Sequence, residues 1–179
     1  CSRCDTGTFV WKCLTRRNKP EMTNLTHIDA DGNAVMVDVG GKTSTDRVAR
    51  AACSVLMHKD TITAISSGKI KKGDVLSIAQ LAGIMGSKKT ADLIPLCHPI
   101  ALTSSKVELT IDRALNSVNI TANCKVNGQT GVEMEALTAV TIAALTVYDM
   151  CKAIDRSIQI TDIRLTYKSG GKSGTFNAF

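Results

Sequence analysis

The sequence predicts an α+β fold, a ferredoxin-like antiparallel sheet in βαββαβ order with helices on one face. Three observations carry that expectation. Ser104–Asp112 and Ser117–Lys125 alternate apolar and polar residues on either side of Arg113-Ala114-Leu115-Asn116, the pattern of an antiparallel hairpin. Residues 131–155 keep apolar side chains three and four apart, the mark of a long helix. Residues 158–167 return to a strand-like run. The full order follows if residues 45–57 form the first strand.

Residues 1–24 are basic, carry Cys1, Cys4 and Cys13, and show no sustained period, so they read as a tail or linker ahead of one domain over 25–179. Cys1-x-x-Cys4 lacks a fourth ligand at zinc-site spacing, and no metal is expected there. Asp29-Ala30-Asp31-Gly32-Asn33 is turn chemistry, followed by Ala34–Val39 as a short apolar strand. Residues 45–57 read both ways: Ala and Arg favour helix, while Val48 and Val55 suit a strand. Residues 59–67 suggest a short helix. Asp74 is a good N-cap for a second helix through about Met85, with Val75, Ile78, Ala79, Ala82 and Met85 at helical spacing. Thr130-Gly131-Val132-Glu133 matches a capping box opening the long helix, which would account for Glu133 structurally.

Composition narrows the function classes. The chain has 179 residues, 44% of them hydrophobic, and carries a formal charge of +6. A basic balance favours anionic partners, but the Lys and Arg residues are dispersed, so a local anion pocket fits better than a basic arm or a membrane-surface helix. Only 3% of residues are aromatic, leaving few platforms for stacking bases, and nucleic acid is not expected as a partner. No stretch of about 20 apolar residues suggests a membrane span. The seven cysteines are odd in number, and Cys53, Cys97, Cys124 and Cys151 lie singly in apolar stretches, which reads as reduced thiols in an intracellular compartment. The chain opens at Cys1 rather than Met, as a fragment or processed form would.

Two segments carry chemistry. On the long helix, Glu135, Thr138, Ile142, Leu145, Asp149, Lys152 and Arg156 share a second stripe, apolar in the middle and ionisable at both ends. Asp149 and Lys152 could be a surface pair of little consequence. Their setting, Ala-Leu-Thr-Val-Tyr-Asp-Met-Cys-Lys-Ala-Ile, instead suggests a partly buried pair suited to proton transfer. In Ile94-Pro95-Leu96-Cys97-His98-Pro99 two prolines stiffen the backbone around His98, which either faces a ligand or sits in a turn. Gly40-Gly41-Lys42-Thr43 and Lys168-Ser169-Gly170-Gly171-Lys172-Ser173-Gly174 lack the first glycine of a phosphate-binding P-loop, with Met36 and Thr166 in its place. Each still offers backbone N–H groups beside lysines, an anion nest or else a flexible loop.

These segments resemble the MoaC family of molybdenum-cofactor biosynthesis. The resemblance runs in order from about residue 25 to the end, through Leu25-Thr26-His27, Met36-Val37-Asp38-Val39, Lys72-Gly73-Asp74, Asp92–Pro99, Gly131–Thr138, Tyr148–Ala153 and Lys168–Gly174. It implies that 45–57 is a strand. It also implies a lyase that converts (8S)-3',8-cyclo-7,8-dihydroguanosine 5'-triphosphate, made by an upstream radical enzyme, to cyclic pyranopterin monophosphate and diphosphate, without a cofactor. By the same resemblance Asp149 is the catalytic acid/base, with Lys72 and Lys152 moving protons and stabilising phosphate. Leu96, Cys97, His98, Met134 and Glu135 line the substrate. Arg47, Lys168 and Lys172 meet the triphosphate, with Asp38 and Glu133 in support. The family resemblance further implies a homohexamer, a trimer of dimers, with sites at subunit interfaces, in the cytoplasm or in a mitochondrial matrix.

Overall fold

The structure is a computed structural model that describes residues 27–29 and 31–178. The expectations for the 1–24 tail, its three cysteines and Leu25-Thr26 fall outside these residues. The chain divides into two compact units, Cys1–Val35 and Met36–Phe179. In the first, Asp29 Oδ1 accepts from the backbone N–H of Asp31 and Asn33, and Ile28 bridges Ala34. The turn is therefore as expected. The Ala34–Val39 strand is not: apart from that bridge the segment has no ladder, and Val35 and Met36 are exposed. An apolar run becomes a strand only where another edge pairs with it.

The second unit runs β1 (Thr45–Leu56), α1 (Lys59–Ser66), α2 (Val75–Ser87), α3 (Thr90–Leu93), β2 (Ser104–Asp112), β3 (Ser117–Gly128), α4 (Glu133–Cys151), β4 (Gln159–Ser169) and β5 (Phe176–Asn177). The class is α+β, with one antiparallel sheet in the order β2-β3-β1-β4-β5. Within this unit the strands expected over 45–57, 104–112, 117–125 and 158–167 and the principal helices are present, and α3 and β5 are additions. Residues 45–57 resolve as a strand because alternate residues Ala49, Ala51, Cys53 and Val55 are buried.

On β3 the same face carries Val118, Ile120, Ala122, Cys124 and Val126, and α4 lies across both strands. Burying these side chains with Ala136, Ala139, Val140, Ala143 and Val147 of α4 builds the core. Small residues let the helices approach. A Cβ at Gly83 of α2 would stand 2.8 Å from the carbonyl oxygen of Ala139. By length and composition α4 could cross a bilayer, but half of it is taken up within the protein, so its apolarity is that of a core helix.

Local signals fix the connections. Asp112 Oδ1 accepts from Ala114 N and Leu115 N, and Asn116 takes a left-handed φ of 49°, closing the β2–β3 hairpin. Asp74 caps α2, its Oδ1 accepting from Leu76 N and Ser77 N. The capping box of α4 does not form. The N-cap is Val132, without a side-chain cap, and Glu133 reaches instead to Lys168 on β4. A tertiary ion pair takes the carboxylate that local sequence assigned to the cap.

Candidate active site

The expected site residues gather at the two ends of α4. At the C-terminal end, Lys72 Nζ donates to Asp149 Oδ2 (2.8 Å) and to the Asp149 carbonyl oxygen (2.7 Å). Lys152 Nζ lies 2.6 Å from Asp149 Oδ1. Asp149 and Lys152 meet because they are three residues apart on the helix. Lys72 arrives from the turn Ile70–Gly73, which Gly73 closes at φ 108°, immediately before the Asp74 cap. One carboxylate thus sits between two ammoniums. All three side chains are about half exposed in the single chain, so the partial burial expected for them is not seen there. The hydrogen bonds from Lys152 and then Lys72 hold the Asp149 carboxyl down at about 2. The bond to Asp149 in turn raises the Lys152 ammonium. Such a triad keeps a base ionised beside two proton donors.

At the N-terminal end, Glu133 Oε1 pairs with Lys168 Nζ at 3.0 Å beside a cavity of about 720 Å³. Arg47 is oriented by its own donations, Nε to Gly128 O (2.9 Å) and Nη2 to Gln129 O (3.1 Å). The loop 170–171 lies on the guanidinium: a Cβ at Gly171, which has a φ of 72°, would strike Arg47. Both glycine–lysine pieces reach this cavity, so Lys42, Arg47, Lys168 and Lys172 face one space, with Glu133 the only acidic residue on its wall among the described residues. Lys42 was not among the expected site residues; its place beside Gly40-Gly41 was the available signal. Thr45 Oγ1 on the same wall is buried without a hydrogen-bond partner among the described residues. Four cations around an open cavity favour a polyanion.

Leu96, Cys97 and His98 follow α3 in a turn closed by Cys97 N to Ile94 O (3.0 Å), with Pro95 at its second position. His98 Nε2 bonds the carbonyl oxygen of Val37 at 2.7 Å, so Nε2 carries the proton and Nδ1 is the acceptor of the neutral ring. Asp38 shapes the loop that carries this carbonyl, its Oδ1 accepting from Gly40 N at 2.8 Å. Glu135, in the first turn of α4, is only 3% exposed, and its Oε2 has no partner among the described residues. Burial pushes its carboxyl up to about 7, with the charge of Glu133 adding to the rise. Burial, and then the charge of Glu135, likewise raise the Cys97 thiol, which is no ready thiolate. Met134 lies on the exposed side of the same turn.

The structure therefore brings Asp149, Lys72 and Lys152 together. It separately brings Arg47, Glu133, Lys168 and Lys172 together, with Glu135 acting on Cys97. It does not unite the two sets within one chain. Glu135 and Asp149 are fourteen residues apart on one helix, about 21 Å along its axis. Among the described residues no group of three or more His, Cys, Asp or Glu side chains forms a metal site.

An α+β domain with a carboxylate between two ammoniums at one end of a core helix and a polycationic cavity at the other has the groups to move protons on an anionic substrate. The MoaC family profile matches residues 36–171, and the chain belongs to that family. It is 60% identical over 157 residues to a cyclic pyranopterin monophosphate synthase of Dinoroseobacter shibae, covering 88% of this chain and 99% of that one. It is 63% identical over 154 residues to the enzyme of that name from Rhodospirillum rubrum, covering 86% and 93%. The Clostridium perfringens enzyme is 56% identical over 153 residues, covering 86% and 97%.

Proposed function

We propose that this chain is a lyase of molybdenum-cofactor biosynthesis that converts (8S)-3',8-cyclo-7,8-dihydroguanosine 5'-triphosphate to cyclic pyranopterin monophosphate and diphosphate. The observation that carries this reading is the Asp149 carboxylate held between Lys72 and Lys152. Rearranging the purine-derived rings requires protons to be taken and returned at several atoms. A carboxylate near 2 remains the acceptor at neutral pH, while the flanking ammoniums donate. Arg47, Lys168 and Lys172, joined by Lys42, hold the triphosphate and stabilise the diphosphate as it leaves. Leu96, Cys97, His98, Met134 and Glu135 form the wall against the ring system, with Asp38 and Glu133 orienting the loop and Lys168.

The active form is a homo-oligomer, the hexamer built from dimers that the family resemblance implies, in which Asp149 of one copy meets the cavity of another. Two features support this. Glu135 and Asp149 stand about 21 Å apart along α4, so one chain holds the two sets at opposite ends of its long helix. Ile78, Leu81 and Met85 on α2 and Leu145 on α4 are exposed apolar side chains suited to a subunit contact.

The test is complementation. Asp149→Ala and Lys168→Ala should each be inactive alone with the cyclised dihydro-GTP. Refolded together as mixed oligomers, they should recover about a quarter of wild-type diphosphate release, because one interface pairs the intact halves. No recovery in verified mixed oligomers places the whole site within one subunit, and no product from wild type ends the functional reading.

A further inference from the structure

Asp155 lies in the turn after α4, outside every role given above. Its side chain is 1% exposed and its carboxylate accepts four hydrogen bonds. Oδ2 takes the backbone N–H of His58 (2.8 Å) and the hydroxyl of Thr61 (3.1 Å). Oδ1 takes the backbone N–H of Ser157 (2.9 Å) and its hydroxyl (2.7 Å). Burial alone would raise this carboxyl, but the bonds, led by the His58 N–H, hold it at about 2. A buried carboxylate with its acceptors this well satisfied is an anchor.

The trio of Asp155, Ser157 and His58 has the composition of a nucleophilic triad but the wrong polarity. Ser157 gives its proton to Asp155, so it can only accept from His58 Nε2, 2.9 Å away. That nitrogen then carries a hydrogen and cannot take one from the serine.

What the anchor joins is informative. His58 is the N-cap of α1 and supplies no side-chain cap of its own, so Asp155 caps that helix from across the chain. From α1 the chain leads directly to the turn bearing Lys72, and Asp155 itself follows Lys152 by three residues. Burial, and then the charge of Asp155, raise the Cys151 thiol to about 11, with Lys72 opposing the rise. We propose that Asp155 is a positioning residue: by tying the start of α1 to the end of α4, it holds Lys72 and Lys152 in place on Asp149. This rests on the functional reading above.

Asp155→Asn keeps the shape but replaces one acceptor oxygen with a donor. It should lower kcat about 10–100-fold, the cost of misplacing a catalytic group by about an ångström, with KM within about twofold. The acidic limb of the pH–rate profile should move to higher pH, because lysines held less closely no longer depress Asp149. Thr61→Val, which removes one of the four bonds, should fall between wild type and Asp155→Asn, and it serves if the latter does not fold. Val118→Ala in the core, lowering Tm without touching the anchor, should leave kcat and the limb unchanged. Wild-type kcat and limb in Asp155→Asn or Thr61→Val, or an equal effect from Val118→Ala, would overturn the assignment. If the wild-type protein makes no product, the functional reading has failed separately. A crystal structure of Asp155→Asn then decides: displaced lysines uphold the anchor, and both still bonded to Asp149 refute it.

Discussion

Glu135 and Asp149 stand on the same stripe of the same helix, yet their surroundings drive them in opposite directions. Glu135 has almost no solvent and an oxygen without a partner among the described residues, and its carboxyl rises to about 7. Asp149 is open to solvent and clasped by two ammoniums, and its carboxyl falls to about 2. Desolvation dominates one and paired charge the other. One helix therefore presents a group that is partly protonated near neutrality at one end and a permanent anion at the other, a division of labour familiar from acid–base enzymes. The difference also teaches that the carboxylate sharing a helix with a lysine is not automatically the buried one.

The comparison can be broken most directly at Asp149. Asp149→Ala should lower kcat about 10³-fold while circular dichroism and Tm remain near wild type, since the side chain is exposed and packs into no core. Retained turnover would remove the acid–base centre from this end. At the other end, the raised carboxyl of Glu135 ties stability to pH. The folded state keeps its proton to about 7, whereas the unfolded chain loses it near 4.5. Stability from this group is thus complete below 4.5 and is lost as pH rises through about 7, a swing of about 3 kcal/mol. Glu135→Gln should flatten that stretch of the Tm-versus-pH curve, and an unchanged slope would mean that Glu135 is not buried as an acid.

A smaller effect separates binding from proton transfer. Lys172→Ala, on the cavity wall, should raise KM about tenfold, the order of one charge-assisted bond, measured from initial rates. Between the two ends, the core should be passive: Ile120→Val should cost about 1 kcal/mol by denaturant unfolding and leave kcat untouched.

Much of the fold was legible because it rests on local rules. The β2–β3 hairpin is written in alternation and in Asp112 and Asn116, and α2 begins where Asp74 can cap it. Where local rules failed, a distant partner intervened or was missing. Thr130 and Glu133 have capping-box spacing, but Lys168, thirty-five residues on, takes the carboxylate. Val35 and Met36 have strand propensity and remain exposed without a ladder. The lysines and acids of the site were legible as residue types in motifs, and both glycine–lysine pieces as possible anion nests, whereas their meeting in one cavity exists only in space.

By itself the amino-acid order determined the α+β class, the positions of the main strands and helices, the family, and the chemical groups available to a site. These depend on side-chain period, caps and turns, whose energetics act over a few neighbouring residues. Only the tertiary structure decided that the site residues lie at opposite ends of α4, that two glycine–lysine loops share one cavity, and that Asp155 caps a helix ninety-seven residues before it. Desolvation and ion pairing sum over everything nearby, whatever its distance along the chain, so the charge states of Glu135 and Asp149 arise only once the protein has folded.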